Sequence, residues 1–356
     1  MTIDLNLAEE QRQIVGSLRE MLADRFPVAR LRDTARHTQQ DRFALAAVAE
    51  FGAIGLARPD EEGGLGLSIV EEVLVHVELG RALVSPGALA AGVAVRIASA
   101  AGLPDLADTL SEGSRRACLA NAVGALDMDA PEGAALLLFD WQDCDAAVVW
   151  TEAGALLLDP RKLEISPCSA TDRTVSAGRA VLVGDAVLAG VSAKDVPVAR
   201  LAQLLVSAQL LGICEATRDM AVDYAKVRTQ FGQPIGAFQA VKHHCANMAI
   251  NAEVLSAQLL FAAIAERDGW EDAPFQSGAA CQLAARHAIA NASATIQVHG
   301  GIGFSDECDA HLFLLRANLL EMIGGPPRRT EAAFLRTPFP QFASSGPDLG
   351  AARAFG

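Results

Sequence analysis

Arg228, Phe231 and Gln239 lie in the stretch "RTQFGQPIGAFQ", and their side chains suit the recognition of a phosphorylated ligand. The planar guanidinium of an arginine offers two parallel donors to a phosphate, and a glutamine amide can bond a sugar or a base. The intervening Gly232 and Pro234 also predict a turn between two helices. We therefore expect either a phosphate-binding turn or an ordinary helical hairpin here.

A second stretch, "IQVHGGIGFSDECD", supplies Gln297 and a glycine cluster that includes Gly300 and Gly301. Glycines let a ligand approach the backbone closely and expose amides that suit oxyanions. His299 and His311 flank the cluster, where they could contact a nucleotide or serve only the fold. A plain helix terminus is the alternative for the whole stretch.

Four other polar residues nearby predict structural roles. His243 and His244 are adjacent on a predicted helix, so their side chains diverge by about 100° and no metal site is expected there. Asp306 and Glu307 are expected to cap a helix that begins near Asp309. None of the four is predicted to do chemistry.

The chain divides by its pattern into an α, a β and a second α region. Apolar residues recur at helical spacing over residues 1–115, and short apolar runs bounded by turn residues follow over 116–196. Helical spacing returns over 197–340, and the tail at 341–356 is predicted to be disordered. The predicted fold class is mainly α with a small middle β domain.

Several elements can be placed more closely. Long helices are predicted over Ala237–Asp268 and Phe275–His299, and a β-hairpin is predicted to turn at Glu152–Gly154. The stretch "RANLLEMIGGPPRRTEAAF" predicts two helices separated by a break from Gly324 to Pro327. Proline lacks the amide donor that a helix needs, and glycine loses more conformational entropy on folding.

Composition limits the class of protein. The 356 residues are 51% hydrophobic and carry a formal charge of −14, whereas non-specific binding to nucleic acid or anionic membranes needs a basic surface. The stretch "MTIDLNLAEEQRQIV" has no signal-peptide pattern, and no apolar run is expected to span a bilayer. Seven scattered cysteines without a CxxC pair predict buried thiols in a reducing compartment. We expect a cytoplasmic protein.

The two glutamine- and glycine-bearing stretches together resemble the C-terminal helical domain of the FAD-dependent acyl-CoA dehydrogenases. The stretch "FGAIGLARPDEEGGLGLSIVEEVLVHVELGRAL" is similar to the first domain of that family, and the α–β–α order matches. The resemblance covers most of the chain. It implies an acyl-CoA dehydrogenase-like fold, with an N-terminal helical domain, a middle β domain and a C-terminal four-helix bundle, assembled as a dimer of dimers.

The resemblance also implies where FAD would lie. The cofactor would cross a subunit interface, with its flavin ring mainly in the neighbouring subunit. The residues implied to contact its pyrophosphate and adenosine half are Arg228, Phe231, Gln239, Gln297, Gly300 and Gly301.

The middle domain departs from the family pattern. In the family, a stretch like T-E-P-x-A-G-S-D and a later tryptophan-bearing strand cover the flavin ring. The corresponding stretch here, "CLANAVGALDMDAPEGAAL", has none of these residues, and the β domain is shortened. We expect that this chain cannot build a normal flavin-ring pocket alone.

The catalytic base is the second departure. The family reaction removes an α-proton of an acyl-CoA thioester with a glutamate while the β-hydride passes to the flavin. In many members that glutamate lies in a loop resembling Y-E-G-T-S, which falls here on "IGGPP", with Gly324 at the base position and Pro326 and Pro327 at the Thr and Ser positions. In other members the base falls on the position of Ala202, beside Gln203. Neither position has a carboxylate.

Glu321, one helical turn before Gly324, is the remaining candidate for a displaced base. A solvated or paired carboxylate is the alternative for this residue. Arg328 and Arg329 open the last predicted helix and could contact a partner chain or a CoA phosphate. No metal site is predicted.

Three hypotheses of function follow. In the first, the chain is a subunit of a heterotetrameric acyl-CoA dehydrogenase, of the actinobacterial type that acts on steroid side-chain CoA thioesters. A second subunit would supply the base and the ring pocket, and an electron-transfer acceptor would reoxidise the FAD. The second hypothesis is a non-catalytic scaffold or CoA-binding protein, and the third is a self-sufficient homotetramer that uses Glu321. The presence of Arg228, Gln239 and Gln297 favours the first.

Overall fold

The computed structural model describes the backbone of residues 5–32 and 37–340, with their side chains except those of residues 37–42. The tail predicted at 341–356 lies outside the described residues. Within them, the chain passes from a set of helices through one main sheet to a second set of helices. The predicted fold class, mainly α with a middle β domain, is confirmed.

The described helices before the sheet are α1 (Glu9–Arg25), α2 (His37–Glu50), α3 (Ile69–Arg81), α4 (Gly87–Ala100) and α5 (Pro104–Ser111). The start of α3 is fixed by two reciprocal hydrogen bonds. The Ser68 hydroxyl accepts from the Val70 amide at 3.1 Å, and the Glu71 carboxylate accepts from the Ser68 amide at 2.9 Å. These bonds satisfy amides that a helix leaves without partners.

The described strands of the main sheet are β1 (Ala117–Ala122), β2 (Ala135–Phe139), β3 (Ala146–Thr151), β4 (Gly154–Leu158), β5 (Ser166–Cys168), β6 (Ala177–Val181) and β7 (Val187–Ser192). Their order is β5-β6-β2-β1-β3-β4-β7, and β1 with β3 is the parallel pair among antiparallel neighbours. Thr151 pairs with Gly154 across β3 and β4, which confirms the predicted hairpin.

After the sheet come α6 (Val198–Val227), the short strands β8 (Thr229–Gln230) and β9 (Gln233–Pro234), α7 (Gln239–Arg267), α8 (Ala273–His299), α9 (Ala310–Gly324) and α10 (Pro327–Arg336). The two long helices predicted in this region are confirmed as α7 and α8. Helices α6 and α8 pack along each other, and α7 and α9 pack on the same pair. The core between them is rich in alanine, which lets the helix axes approach closely.

The predicted break before α10 is shorter than expected. Gly324 is the last residue of α9 and Pro327 is the first residue of α10, so Gly325 and Pro326 alone separate the helices. A glycine is tolerated at a helix end, and a proline at the first helical position forfeits no hydrogen bond. The prediction that all four residues lie outside helices is therefore wrong.

The crossing of α3 over α6 joins the first helical region to the bundle. A Cβ on Gly80 would lie 2.1 Å from the Gln209 carbonyl oxygen, and one on Gly212 would lie 2.0 Å from the Val77 carbonyl oxygen. Beside this contact, the Gln209 amide donates to the buried His76 Nδ1 at 3.1 Å. Burial, with Arg96 nearby, lowers the pKa of His76 to about 3, so this side chain stays neutral at physiological pH.

Helices α6 and α7 each meet the length and composition of a membrane span, which the sequence analysis did not expect. Helices in the core of a bundle meet the same two criteria. The most apolar window of α6 is 72% buried within the chain, and that of α7 is 39% buried. The outer face of α7 therefore presents apolar side chains, including Ile250 and Val254, that the described chain leaves uncovered.

Candidate functional site

Arg228, Phe231 and Gln239 lie on the connection between α6 and α7. Strands β8 and β9 form a two-residue hairpin whose turn residues, Phe231 and Gly232, both have positive φ, at 51° and 79°. A positive φ is uncommon for phenylalanine, and the phenyl ring is 92% exposed. Arg228 and Gln239 are exposed as well, and Arg228 makes no ion pair with any described residue. The connection therefore presents all three side chains outward.

Gln297, Gly300 and Gly301 lie where α8 ends. Gly300 has a φ of 64° and a ψ of −142°, a conformation that essentially requires glycine. A Cβ on Gly300 or on Gly301 would meet open space, whereas one on Gly303 would lie 2.7 Å from the Ile296 carbonyl oxygen. Packing explains Gly303, and the other two glycines leave room for a ligand.

The structure brings these two stretches to one end of the bundle. Tyr224, in the last turn of α6, stacks on His299 with ring centroids 4.1 Å apart. Val298 lies in a buried cluster with Ala221 and Ala225 of α6. We name the surface formed by residues 228–239 and 297–301 the bundle end.

A cleft of about 1730 Å³ opens between the sheet and the helices. One wall consists of β-sheet residues and the segment after β5, and the other consists of the first turns of α6 and α8, the end of α9, and α10. Buried apolar side chains such as Leu136, Phe139 and Ile323 line its inner part. Its volume exceeds the roughly 300–1,000 Å³ of a site for one drug-sized ligand.

Trp150 and Thr151, from the end of β3, also line the cleft. The sequence analysis assigned this stretch only to a hairpin. The stretch "CLANAVGALDMDAPEGAAL", which was expected to lack the residues that cover the flavin ring, also lines the cleft. It contributes Asn121, Val123 and Gly124, among others. A tryptophan does therefore reach the cleft, from a strand that the sequence analysis did not connect with it.

Side chains from two other elements hold the end of α9 in the cleft. Asn121 of β1 donates to the Met322 carbonyl oxygen at 2.8 Å, and Gln203 of α6 donates to the Gly324 carbonyl oxygen at 3.1 Å. The last carbonyls of a helix lack partners within it, so these amides replace a backbone cap. The start of α6 and the end of α9 are the two segments in which family members carry the base. In this chain they are joined in the cleft by the hydrogen bond between Gln203 and Gly324.

Both positions counted for the base are closely packed by neighbouring side chains. Ala202 is fully buried in the helical core. Gly324 is buried too, and a Cβ there would lie 3.2 Å from a Val206 methyl group.

Glu321 is half-buried in the cleft and makes no hydrogen bond or ion pair with any residue that the structure describes. Desolvation by burial raises the pKa of its carboxyl group. Burial, with a smaller contribution from Glu321, raises the pKa of the nearby Cys281 thiol to about 11. An unpaired carboxyl with a raised pKa is a chemical feature of proton acceptors, although desolvated structural residues share it.

The arginines of the cleft fall into two groups. The Arg200 guanidinium pairs with Glu266, and Arg336 lies 3.6 Å from the Glu152 carboxylate. Arg179 of β6 and Arg329 of α10 are exposed, and within the described ranges they have no ion-pair partner. They reach the cleft from its two opposite walls.

A buried ion pair joins the three regions of the fold beside this cleft. Arg316 of α9 donates to Asp172 at 2.6 Å and to the Thr174 hydroxyl at 2.9 Å. It also donates to the carbonyl oxygens of Leu83 and Val84 at 3.1 and 2.7 Å. Sequence reasoning missed this cluster, and the available signal was one arginine inside the apolar run "HLFLLRANLL".

Other predicted residues have simpler surroundings. His243 and His244 are exposed, and the described residues contain no group of His, Cys, Asp and Glu suited to a metal. The expected cap of α9 is wrong, because no side chain caps the helix at Asp309 and Asp306 instead accepts from Arg173 at 3.0 Å. The seven cysteines are free thiols, and each is buried or half-buried. Arg328 is exposed at the start of α10.

Comparisons with known proteins give a consistent result. Residues 8–106 match the family model described as "Acyl-CoA dehydrogenase, N-terminal domain", and residues 199–329 match "Acyl-CoA dehydrogenase, C-terminal domain". Acyl-CoA dehydrogenase IpdE2 of Mycobacterium tuberculosis is 33% identical over 295 residues, which cover 81% of this chain and 85% of IpdE2. Acyl-CoA dehydrogenase FadE34 of the same organism is 35% identical over 301 residues, 78% of this chain but 39% of FadE34.

Two solved structures share the fold. A variant of the Tcur3481–Tcur3483 steroid ACAD has a TM-score of 0.76 at 23% identity, over 92% of this chain and 96% of that one. The ChsE4–ChsE5 complex from Mycobacterium tuberculosis has a TM-score of 0.73 at 22% identity, over 95% of this chain and all of the matched chain, at 100%. At these identities the likeness concerns the fold.

Proposed function

The chain belongs to the acyl-CoA dehydrogenase family, whose members are FAD-dependent, and from this premise we propose that it is one subunit of a hetero-oligomeric acyl-CoA dehydrogenase. A second, related subunit supplies the catalytic carboxylate and the flavin-ring pocket. This chain supplies contacts to the adenosine half of the FAD. The complex introduces an α,β double bond into an acyl-CoA thioester and passes electrons to a separate acceptor.

The distance between the bundle end and the cleft supports an FAD shared with a second subunit, and the missing carboxylate described below supports a partner different from this chain. Gln203 faces the cleft near the start of α6, and Arg228 follows the last residue of the same helix. At a rise of about 1.5 Å per residue, the two positions are about 37 Å apart. An extended FAD is too short to reach from one to the other. An FAD held by Arg228 must therefore place its ring outside the cleft of this chain.

The bundle end fits the phosphate-bearing half of FAD. Arg228 has no ion-pair partner among the described residues, and it lies at the same end of the bundle as Gly300 and Gly301, where an added Cβ would meet open space. We propose that Arg228 binds the pyrophosphate and that Gln239 and Gln297 bond the adenosine half. We also propose that Phe231 lies against the cofactor, since its ring is held outward by the hairpin.

The absence of a carboxylate at Gly324 and Ala202 supports a base in the partner. Bound FAD supplies the acceptor of the β-hydride, and the α-proton needs a carboxylate above the thioester. Here the end of α9 is instead tied down by Asn121 and Gln203, and Gly324 faces Val206. These contacts fix the end of α9, where many family members carry the base, against β1 and α6.

We propose a heterotetramer in the cytoplasm, with steroid side-chain CoA thioesters as substrates. One matched structure is called a steroid ACAD, and another is a complex of two named chains, ChsE4 and ChsE5. The uncovered apolar face of α7, around Ile250 and Val254, supports a partner chain on the bundle.

One observation favours a second candidate function. Glu321 lies unpaired in the cleft with a raised pKa, which suits a self-sufficient enzyme that uses a displaced base. A scaffold or CoA-binding protein with this fold is a third candidate, although it would have no use for Arg228, which has no ion-pair partner in the part of the chain that the structure describes.

The isolated chain is expected to bind little FAD, and co-expression with its partner is expected to give a yellow complex. The reason is that the bundle end holds half of the cofactor and leaves the ring without a pocket. FAD released by denaturation can be measured by absorbance per mole of chain. A single-chain preparation with one FAD per subunit would contradict the proposal.

Arg228→Ala is expected to lower the FAD content of the complex. A hydrogen bond to a charged group contributes roughly 1.5–3 kcal/mol, and Arg228→Lys should restore part of this because it keeps the charge without the planar fork. Retained FAD can be measured after gel filtration. Lys226→Ala is the matched control, since it removes an exposed positive charge from the same helix end. Equal FAD content in the wild type, Arg228→Ala, Arg228→Lys and Lys226→Ala would show that Arg228 only follows the end of α6 and does not bind FAD.

A further inference from the structure

The two edges of the main sheet differ in how they are protected. One edge strand, β5, has three residues with Pro167 at its centre, and a proline offers no amide to a further strand. The other edge strand, β7, has the sequence VLAGVS, with no proline and no charged residue. Short length, proline and charge are the usual means by which an edge strand avoids pairing with another chain. We propose that β7 is an interaction surface where a second copy of this chain adds its own β7, antiparallel, to the sheet.

The backbone of β7 turns polar groups outward. The Ala193 amide donates to the β3–β4 turn at 2.9 Å, and along an antiparallel ladder alternate residues face the partner strand. Val191 therefore faces β4, whereas the amide and carbonyl of Gly190 and the amide of Ser192 face away. The Ser192 carbonyl accepts from two amides of the turn that follows, at 3.1 and 3.0 Å. No hydrogen bond outside the ladder reaches Gly190 from the described chain.

The side chains of β7 suit a close approach at Gly190. Ala189 and Val191 pack into the main core, which fixes the strand in place. Leu188 is 40% exposed, and Gly190 is exposed as well. A Cβ on Gly190 would lie 3.0 Å from a methyl group of Leu156, at the end of a flexible side chain, so packing within the chain does not by itself require glycine here. A strand glycine does allow a second backbone to approach closely.

Antiparallel pairing about Gly190 satisfies the outward groups. The two copies of Gly190 then exchange two hydrogen bonds across a two-fold axis. The Ser192 amide of each copy donates to the Leu188 carbonyl of the other. This register makes no use of the Ser192 carbonyl, which the following turn already occupies.

The charges at the two ends of β7 are complementary in this arrangement. Asp185 precedes the strand by two residues, and Lys194 follows it by two. The Lys162 ammonium donates to the Asp185 carbonyl at 2.6 Å, and Asp195 follows Lys194. Antiparallel pairing brings Lys194 and Asp195 of one copy against Asp185 and Lys162 of the other. Such complementary charges favour one partner and one register.

This surface is separate from the contacts of the proposed function. Strand β7 packs on β4 and α4, whereas α7, whose outer face supports the partner chain, packs on α3, α6 and α8. Within the described chain, none of the six residues of β7 lines the cleft. The inference therefore does not rest on the proposed function. A single pair of strands is a small contact, so the association is weak and depends on concentration.

The direct test is disulfide trapping in the full-length chain. In the proposed register, the Cα of Leu188 lies about 5.5 Å from that of Ser192 in the second copy, within the range of a disulfide. The double variant Leu188→Cys/Ser192→Cys should therefore give a covalent dimer on a non-reducing gel after oxidation with copper phenanthroline. Each single variant is a matched control, because its introduced cysteines would be at least about 13 Å apart. The seven native thiols are buried or half-buried, and wild type should stay uncrosslinked. Absence of the dimer, or equal yield from a single variant, would overturn the proposal.

Sedimentation velocity measures the association without a crosslink, at chain concentrations from about 1 to 500 µM. Leu188→Lys places a charge on the edge strand and should raise the dissociation constant at least about tenfold. Leu65→Lys, which changes an exposed leucine of the first helical region, should leave it unchanged. Lys194→Glu should weaken association, and adding Asp185→Lys to the same chain should restore it. Equal association of wild type and Leu188→Lys would place the contact elsewhere and overturn the proposal.

A measurement on the complex separates this inference from the proposed function. The FAD-loaded complex should sediment as a mixture of the heterotetramer and a larger species joined through β7. Leu188→Lys should remove the larger species and leave the FAD content unchanged. A complex that holds FAD but shows no larger species at any concentration would contradict this inference alone. A complex without FAD would contradict the proposed function alone.

Discussion

Arg316→Leu is expected to lower the free energy of unfolding by about 3–5 kcal/mol, the loss typical of breaking a buried ion pair by removing one partner. The substitution leaves the Asp172 carboxylate, which is fully buried, without its guanidinium partner. It also removes donors from the Thr174 hydroxyl and from the carbonyl oxygens of Leu83 and Val84. Urea unfolding followed by circular dichroism measures the loss.

The double variant Arg316→Leu/Asp172→Leu separates the charge from the packing. Removing both charges should cost less than the sum of the two single substitutions, because no charge remains buried and unpaired. Arg173→Ala is the matched control, since the neighbouring Arg173–Asp306 pair is exposed and should contribute less than about 1 kcal/mol. Additive single substitutions would show that Arg316 and Asp172 act independently.

Glu321→Gln is expected to leave turnover by the complex nearly unchanged, and the isolated chain is expected to oxidise no acyl-CoA. A proton α to a thioester is too weakly acidic for water to remove quickly, so loss of a true base costs several orders of magnitude in rate. Dye reduction with a panel of acyl-CoAs measures both. If Glu321→Gln lowers the turnover rate of the complex by more than about a hundredfold, the activation barrier has risen by roughly 2.7 kcal/mol. That result would identify Glu321 as the catalytic base.

Gly324→Glu is expected to create no activity in the isolated chain. The new Cβ would lie 3.2 Å from Val206, and the position belongs to a buried helix end that Gln203 holds. Pro326 and Pro327 stiffen the connection that follows. Thermal unfolding of the same variant shows whether the protein still folds, and activity in a folded Gly324→Glu chain would contradict the assignment of the base to the partner.

The sequence predicted the long helices well, because their apolar residues repeat at helical spacing over many turns. It also predicted the β3–β4 hairpin, where turn residues separate two short apolar runs. The extent of the break before α10 was wrong, because glycine and proline interrupt a helix only in its interior. At Gly324 and Pro327 they occupy positions where helices accept them.

The candidate site was predicted only in part. Local patterns proposed Arg228 and Gly300 as candidates, and their placement at one end of the bundle depends on packing such as the stacking of Tyr224 on His299 across two helices. The cleft joins residues from distant parts of the chain, such as Trp150 and Asn121 with Glu321. Sequence spacing carries no information on such contacts, because they are set by how helices pack on the sheet.

The glycine contact between α3 and α6 limits how this protein can move. A carbonyl oxygen lies about 2 Å from where each missing Cβ would be, so this close approach is possible only while Gly80 faces Gln209 and Gly212 faces Val77. The contact therefore opposes sliding of α3 along α6. Helix α10, which borders the cleft, is held on α8 by the contact of Phe334 with Phe275 instead of by a backbone-to-backbone approach of this kind.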